Sequence, residues 1–323
     1  MTAPVSGPVL AVSDLHVHLP VAGASVPIVT GVSLDVAQGE VVALVGESGC
    51  GKSMTARAVM GLEPPGAVIH GSVRLDGQEV TALPPRARRR LCGGRIGFVF
   101  QEPMTALHPT LTIGRQMTDT LRLHLGLGAR AARERAAELL ALVGIPDGRR
   151  VLDGYAHLLS GGMRQRVCIA MAVSCGPRLV IADEPTTALD VTVQAQVLDL
   201  LRRMRTELGL AMLYITHDLH VVQSFCDRAV VMYAGDMVEA GNTAALLARP
   251  RHPYTAGLLA AIPQAGARQK RLPAIPGQVP PVGSWPDGCR FAPRCGRADA
   301  ACERRPAIEE GVRCWHRLDG RTA

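Results

Sequence analysis

Aromatic side chains are scarce: two Trp, four Tyr and four Phe make up 3 % of 323 residues, and none precedes Phe98. Without aromatics interleaved among its basic residues, the chain lacks the stacking surface that nucleic acid would need. Its net charge of +7 therefore reads as an arginine-rich surface, with anionic lipid as a further contact. Long apolar runs are also missing, since none reaches the roughly 18 residues that cross a bilayer. The N-terminus lacks the basic-then-apolar layout of a secretion signal, so the expected location is the cytoplasm. There is no internal repeat and no low-complexity tract. Lysine is nearly absent: of 35 basic residues, all but Lys52 and Lys270 are arginine. An apolar content of 47 % with 20 % charge describes a globular chain, and its length suggests about two domains. Nine cysteines in a cytoplasmic chain argue against a disulfide framework. Cys50, Cys92, Cys168, Cys175 and Cys226 are dispersed and read as small neutral residues, whereas Cys289, Cys295, Cys302 and Cys314 cluster near the end.

Short β-rich runs alternate with turns over the first hundred residues, at Val9 to Val12, Gly31 to Val36, Val41 to Val45, Gly71 to Leu75 and Ile96 to Phe100. A helical region follows, with Ala129 to Val143 stopping at Gly144. Strands return at Leu179 to Ala182, Ala211 to Ile215 and Ala229 to Tyr233. Between them Val193, Val197, Leu200, Leu201, Met204 and Leu208 recur at helical spacing behind Asp190, a good N-cap. This pattern predicts a largely parallel α/β sheet interrupted by a helical insertion. After residue 262 the prolines 263, 273, 276, 280, 281 and 286 predict an extended linker.

The one lysine in a distinctive setting stands in Gly46-Glu47-Ser48-Gly49-Cys50-Gly51-Lys52-Ser53, between an apolar strand and a helix-compatible stretch. That order is a phosphate cradle: glycines let backbone amides close on phosphates, Lys52 reaches the outer ones, and Ser53 can ligate Mg²⁺. A guanidinium would not occupy the same pocket. Phosphoryl transfer also needs a metal-orienting carboxylate and a group that positions water. The strand Leu179 to Ala182 ends in Asp183-Glu184, placing Asp183 for the metal shell and Glu184 as general base. Thr216-His217 ends the next strand and offers a side chain to the terminal phosphate. In Leu159-Ser160-Gly161-Gly162-Met163-Arg164-Gln165-Arg166, a serine N-cap and two glycines open an amphipathic helix with Met163, Val167, Ala170 and Ser174 along one side, a second phosphate-binding end.

The order phosphate loop, Gln101, LSGGM, Asp183-Glu184, Ala188-Leu189-Asp190 and His217 resembles the nucleotide-binding subunit of ATP-binding cassette (ABC) transporters, across about residues 8 to 250. The resemblance implies a RecA-like P-loop ATPase core with an antiparallel β subdomain and a helical insertion over about 102–165, together filling residues 1–262. It implies a composite site as well. ATP held by Lys52 and Asp183, with Mg²⁺ on Ser53, Gln101 and Asp183, would be capped by Ser160 to Gly162 of a second ATPase. Gln101 would sense the γ-phosphate, His217 would contact it, and Asp190 would communicate across the dimer. One departure concerns the base. The family's adenine-stacking aromatic is replaced by Leu19 in Val17-His18-Leu19, leaving aliphatic contact or His18.

The C-terminal part of the chain, with residues 263–323 as a Pro-rich linker and cysteine-cluster extension, narrows the resemblance. His252-Pro253-Tyr254-Thr255, Leu272-Pro273-Ala274-Ile275-Pro276-Gly277 and Cys289-x-Phe291-x-x-Arg294-Cys295 are similar to the C-terminal extension of dipeptide, oligopeptide and nickel importer ATPases. Gln101 to Pro109 and the Met163 variant resemble the D-type subunit. Such subunits pair with an F-type ATPase and two transmembrane permeases, receive solute indirectly from an extracytoplasmic binding protein, and sit at the cytoplasmic face of the membrane. Peptide is the expected cargo and nickel the alternative. Soluble ABC ATPases of DNA repair or translation tend to carry coiled-coil or zinc insertions or a second cassette, which are missing here, and the tail argues against an exporter. The four tail cysteines are separated by five, six and eleven residues, too loosely for a C-x-x-C zinc knuckle. Spacing leaves the metal open, between iron–sulfur, zinc and none. The resemblance implies a [4Fe-4S] cluster, with His316 as an alternative ligand and zinc as the alternative metal.

Overall fold

The computed structural model describes residues 7–21, 23–187, 189–262 and 273–318. Two long strands open it, β1 (Leu10–Val21) and β2 (Ala24–Val36). Leu10, Val12, Leu15 and Val17 of β1 are buried, and so are Val32, Leu34 and Val36 of β2, largely the alternation of strands with one face on a core. β3 (Val41–Val45) is buried at every position, as a strand covered on both faces must be. The phosphate loop then leads into α1 (Lys52–Met60), which stops at left-handed Gly61. β4 (Val68–Leu75) and β5 (Gln78–Glu79) pair antiparallel through Asp76-Gly77, both at positive φ, the conformation a two-residue hairpin turn requires.

α2 (Pro85–Leu91) and β6 (Ile96–Val99) precede the helical region α3 (Pro103–Ala106), α4 (Ile113–Leu125), α5 (Ala129–Leu142) and α6 (Gly148–Asp153). Thr112 caps α4 by accepting from the Arg115 amide, and left-handed Gly126 ends it. Ser160 caps α7 (Gly161–Val173). Burial on α7 extends beyond the expected side of Val167, Ala170 and Ser174, because Cys168, Ile169, Ala172 and Val173 are buried too. The order continues β7 (Leu179–Asp183), α8 (Val191–Leu208), β8 (Ala211–Thr216), α9 (Leu219–Phe225), β9 (Arg228–Tyr233), β10 (Asp236–Asn242), α10 (Thr243–Ala248) and α11 (Pro253–Ala260). The expected apolar stripe of α8 buries Val197, Leu200, Leu201 and Met204, but Leu208 at its last position is 47 % exposed. The stripe outruns the surface it packs on.

Two compact units emerge. The first is formed chiefly by Val36–Glu40 and Ala82–Tyr214 and holds the helical region with β6, β7 and most of β8, side by side in the order β8-β7-β6. β6 and β7 run parallel from Ile96 opposite Leu179 to Val99 opposite Ala182. The second contains Ala11–Asp35, Val41–Thr81 and the chain from Ile215 onward. It holds a sheet in the order β2-β1-β4-β5 and the strands β10-β9-β3, with β3 parallel and β10 antiparallel to β9. The described tail, 273–318, clusters with this second unit. Its prolines at 273, 276, 280, 281 and 286 lie outside any helix, whereas Pro263 and the rest of 263–272, where the expected linker begins, fall outside the described residues.

Candidate functional site

In the second unit, burial and backbone shape force glycine into the phosphate loop. Gly46 has φ +157°, and a Cβ there would lie 2.2 Å from the Met232 carbonyl oxygen and 2.7 Å from Cys50 Sγ. Gly51, at φ +101°, would drive a Cβ to 2.9 Å from the Ile28 carbonyl oxygen. Lys52 begins α1 and is 6 % exposed. Its Nζ donates to the carbonyls of Gly46 at 2.7 Å and Glu47 at 3.1 Å, so the ammonium is held inside the loop's curve. Ser48 and Gly49 form the exposed rim, and Ser53 is half-buried in the first turn of α1. Burial pushes the Cys50 thiol up, keeping it neutral beside the lysine. A loop whose amides and one buried cation converge in this way suits a nucleotide's phosphates.

In the first unit, Asp183 ends β7 at 8 % exposure and Glu184 follows at φ +46°. A non-glycine residue in the left-handed region stores about 1–3 kcal/mol of strain. The strained carboxylate is also the one held by its neighbours: Gln101 Nε2 donates to Glu184 Oε2 at 3.2 Å, and Thr187 Oγ1 donates to the same oxygen at 2.9 Å. Gln101 and Glu184 were both expected from the sequence, whereas Thr187 was not. It stands three residues beyond the acid, a spacing without meaning until the turn is seen.

Ser160 Oγ accepts from the Met163 amide at 3.3 Å, and a Cβ at Gly161 would meet nothing within 4 Å. The start of α7 is thus capped and open. At Gly162 a Cβ would reach 2.9 Å from Val193 Cγ1, so this glycine also admits α8. Asp190 Oδ1 accepts from the Val193 amide at 2.9 Å, making it the N-cap of α8 as the sequence suggested, while Ala188 lies outside the described residues. In the second unit His217 is exposed between β8 and α9. Leu19 is half-buried in β1, and the neighbouring His18 contacts Ser25 Oγ at 3.4 Å and the His70 ring edge-on at 6.3 Å.

The tail brings its cysteines into mutual electrostatic range. Burial raises the Cys289 thiol, and Cys302 and Cys295 raise it further. Cys314 is pushed up to about 11, by burial first and then by Cys289, Cys295 and Cys302. A bound cation would favour the thiolate forms of Cys289 and Cys314 that burial disfavours. Around a single zinc, thiolates stand about 3.8 Å apart. Among the described residues, Asp299, Cys302 and His316 have ligand atoms within 4.8 Å of one another. His316 Nε2 and Asp299 Oδ1 are 2.8 Å apart.

Comparison with known proteins identifies the relatives of this chain. Residues 29–187 match the ABC transporter family, and residues 238–302 match the oligopeptide/dipeptide transporter C-terminal region. A probable D,D-dipeptide transport ATP-binding protein of Escherichia coli K12 is 48 % identical over 317 residues, covering 96 % of this chain and 97 % of the relative. A putative peptide import ATP-binding protein of Brucella abortus is 49 % identical over 298 residues, covering 92 % and 90 %. Among solved structures, the dimeric post-hydrolysis ATP-binding cassette MJ0796 bound to ADP and Pi has a TM-score of 0.65 at 27 % identity, over 72 % of this chain and 98 % of that one. CbiO1 of Clostridium perfringens, part of the ABC transporter complex cbiONQ, has a TM-score of 0.63 at 27 % identity, over 75 % and 92 %. Matched by both family models and sharing about half of its residues with such proteins over nearly its whole length, the chain belongs to the ATP-binding subunits of the oligopeptide/dipeptide ABC transporter family.

Proposed function

We propose that this chain hydrolyses ATP to power import of dipeptides or oligopeptides through a membrane ABC transporter. The observation that carries the reading is Glu184, a strained carboxylate next to buried Asp183 and oriented by Gln101 and Thr187. That arrangement suits a general base aimed at water. Lys52 and the amides of Gly46 to Ser53 would hold the triphosphate. Ser53, Gln101 and Asp183 would hold Mg²⁺, which neutralises charge on the β- and γ-phosphates. Ser160, Gly161 and Gly162 would cap ATP on a partner F-type ATPase, with Asp190 beside that junction and His217 directed at the γ-phosphate.

Among the described residues no helix is long and apolar enough to cross a membrane. The pore is therefore assigned to two separate permease subunits, with the chain docked peripherally on their cytoplasmic face and the solute-binding protein acting indirectly. Cys289, Cys295, Cys302 and Cys314 would hold a [4Fe-4S] cluster. Their lying close enough to raise one another's thiols supports this. Asp299, Cys302 and His316 are the donor set for the zinc alternative. Glu184→Gln tests the main reading in the assembled transporter. Hydrolysis should fall at least about 100-fold, the usual worth of a general base, while ATP binding persists. Wild-type turnover in this variant would overturn the assignment.

A further inference from the structure

The second residue of the phosphate loop is tied to the cysteine-bearing tail. A short 3₁₀ turn at Ala292–Arg294 lies between Cys289 and Cys295. Arg294, its side chain 5 % exposed, forms a two-pronged ion pair with Glu47: Nη1 donates to Oε2 at 2.7 Å and Nη2 to Oε1 at 3.1 Å. Its Nε donates to the Pro276 carbonyl at 2.8 Å, fixing the plane of the fork. The backbone of Glu47 is held as well, its amide donating to Tyr254 Oη at 3.0 Å. Tyr254 packs on Tyr233 at 4.7 Å and on Phe291 of the tail at 5.4 Å. The Glu47 carbonyl in turn accepts from Lys52 Nζ. A continuous path thus runs from the residue beside Cys295, through Glu47, to the phosphate-binding ammonium.

We propose that Arg294 is a positioning residue of the nucleotide site: by clamping Glu47 it keeps the loop amides and Lys52 in their phosphate-receiving arrangement, so that nucleotide affinity depends on the folded tail. The inference rests on the ATP-site reading above. A forked guanidinium can fix a carboxylate's orientation in a way that a point ammonium cannot. The loop bends through glycines at positive φ on both sides of Glu47 and has little stiffness of its own.

The test uses the full-length chain, with trinitrophenyl-ATP as the binding probe and ATP hydrolysis measured in the assembled transporter. Arg294→Met should raise the probe's Kd and the KM for ATP about ten-fold, the worth of a charge-assisted pair, with kcat within about two-fold. Arg294→Lys should fall between that variant and wild type. Glu47→Gln should match Arg294→Met, and the double variant should bind no more weakly than either single one. Wild-type Kd and KM in Arg294→Met would overturn the proposal, and so would a double variant whose losses multiply. Should Arg294→Met fail to fold, Glu47→Gln decides alone, because it leaves the tail's other anchors in place, and unaltered affinity there refutes the linkage. A wild-type chain that binds no probe would overturn the ATP reading and this inference with it. Failure confined to the variants overturns the inference only.

Discussion

His252 is 1 % exposed and serves as the N-cap of α11, its Nδ1 accepting from the Tyr254 amide at 3.0 Å. Its own amide donates to Glu239 Oε2 at 3.0 Å. Burial holds the imidazole neutral, with a pKa lowered to about 4 although a hydrogen bond to the Arg313 backbone works the other way. Because the folded value lies below the unfolded one of about 6.5, the unfolded chain binds the proton first. The contribution to stability is whole above pH 6.5 and is lost as pH falls toward 4, by about 3 kcal/mol in total. His252→Asn keeps an acceptor for the cap but cannot titrate. Urea midpoints measured between pH 4 and 7.5 should therefore fall more steeply in wild type than in this variant. Parallel profiles would refute the assignment.

At the scale of elements, the phosphate loop is the least tolerant segment. Gly46→Ala places a methyl group 2.2 Å from a backbone oxygen at a φ that side chains rarely adopt, so the loop must move. Trinitrophenyl-ATP binding should weaken by more than ten-fold and the melting temperature should drop, as about 1–3 kcal/mol of backbone strain would give. Binding at the wild-type level would mean that the loop does not need its observed shape. Why β3 and β7 could be read from sequence follows from their burial on both faces, which demands an unbroken apolar run. β10 could not be read, because Asp236–Asn242 has no alternation of its own. It becomes a strand by pairing with β9 through a register shift between Met237 and Glu239. β5, two residues long, exists only as the return of a turn. The last residue of α8 was misjudged for a related reason, since periodicity shows which face is apolar but not where the partner surface ends.

Over the whole molecule, the same division separates the parts of the site that could be read from those that could not. Gly46 to Ser53, Ser160 to Gly162 and Asp183-Glu184 are contiguous, and their chemistry is local. The bonds that orient them join residues far apart, with sequence separations of 83 for Gln101 and Glu184 and 247 for Glu47 and Arg294. No pattern along the chain encodes those pairings. The tail shows this most fully, for among its described residues regular structure is limited to two short 3₁₀ turns, and arginines hold it in place. Arg290 and Arg305 converge on Asp236, which is 2 % exposed, while Arg290 also donates to Thr30 Oγ1 at 3.1 Å and lies 4.1 Å over the Trp285 ring. Burial raises the Asp236 carboxyl even though Arg290, Arg305 and Arg313 surround it and favour its charge. Asp236→Asn keeps the shape and removes the charge, leaving three guanidinium groups facing one another at a cost of about 3–5 kcal/mol. That loss should open the tail before the rest of the chain unfolds. Brief digestion with trypsin, followed by mass mapping, should release fragments between Arg290 and Arg317 from the variant while Ala82–Tyr214 stays intact. The wild-type tail should resist under the same conditions, and equal cleavage rates would show that Asp236 is not the anchor on which it is held.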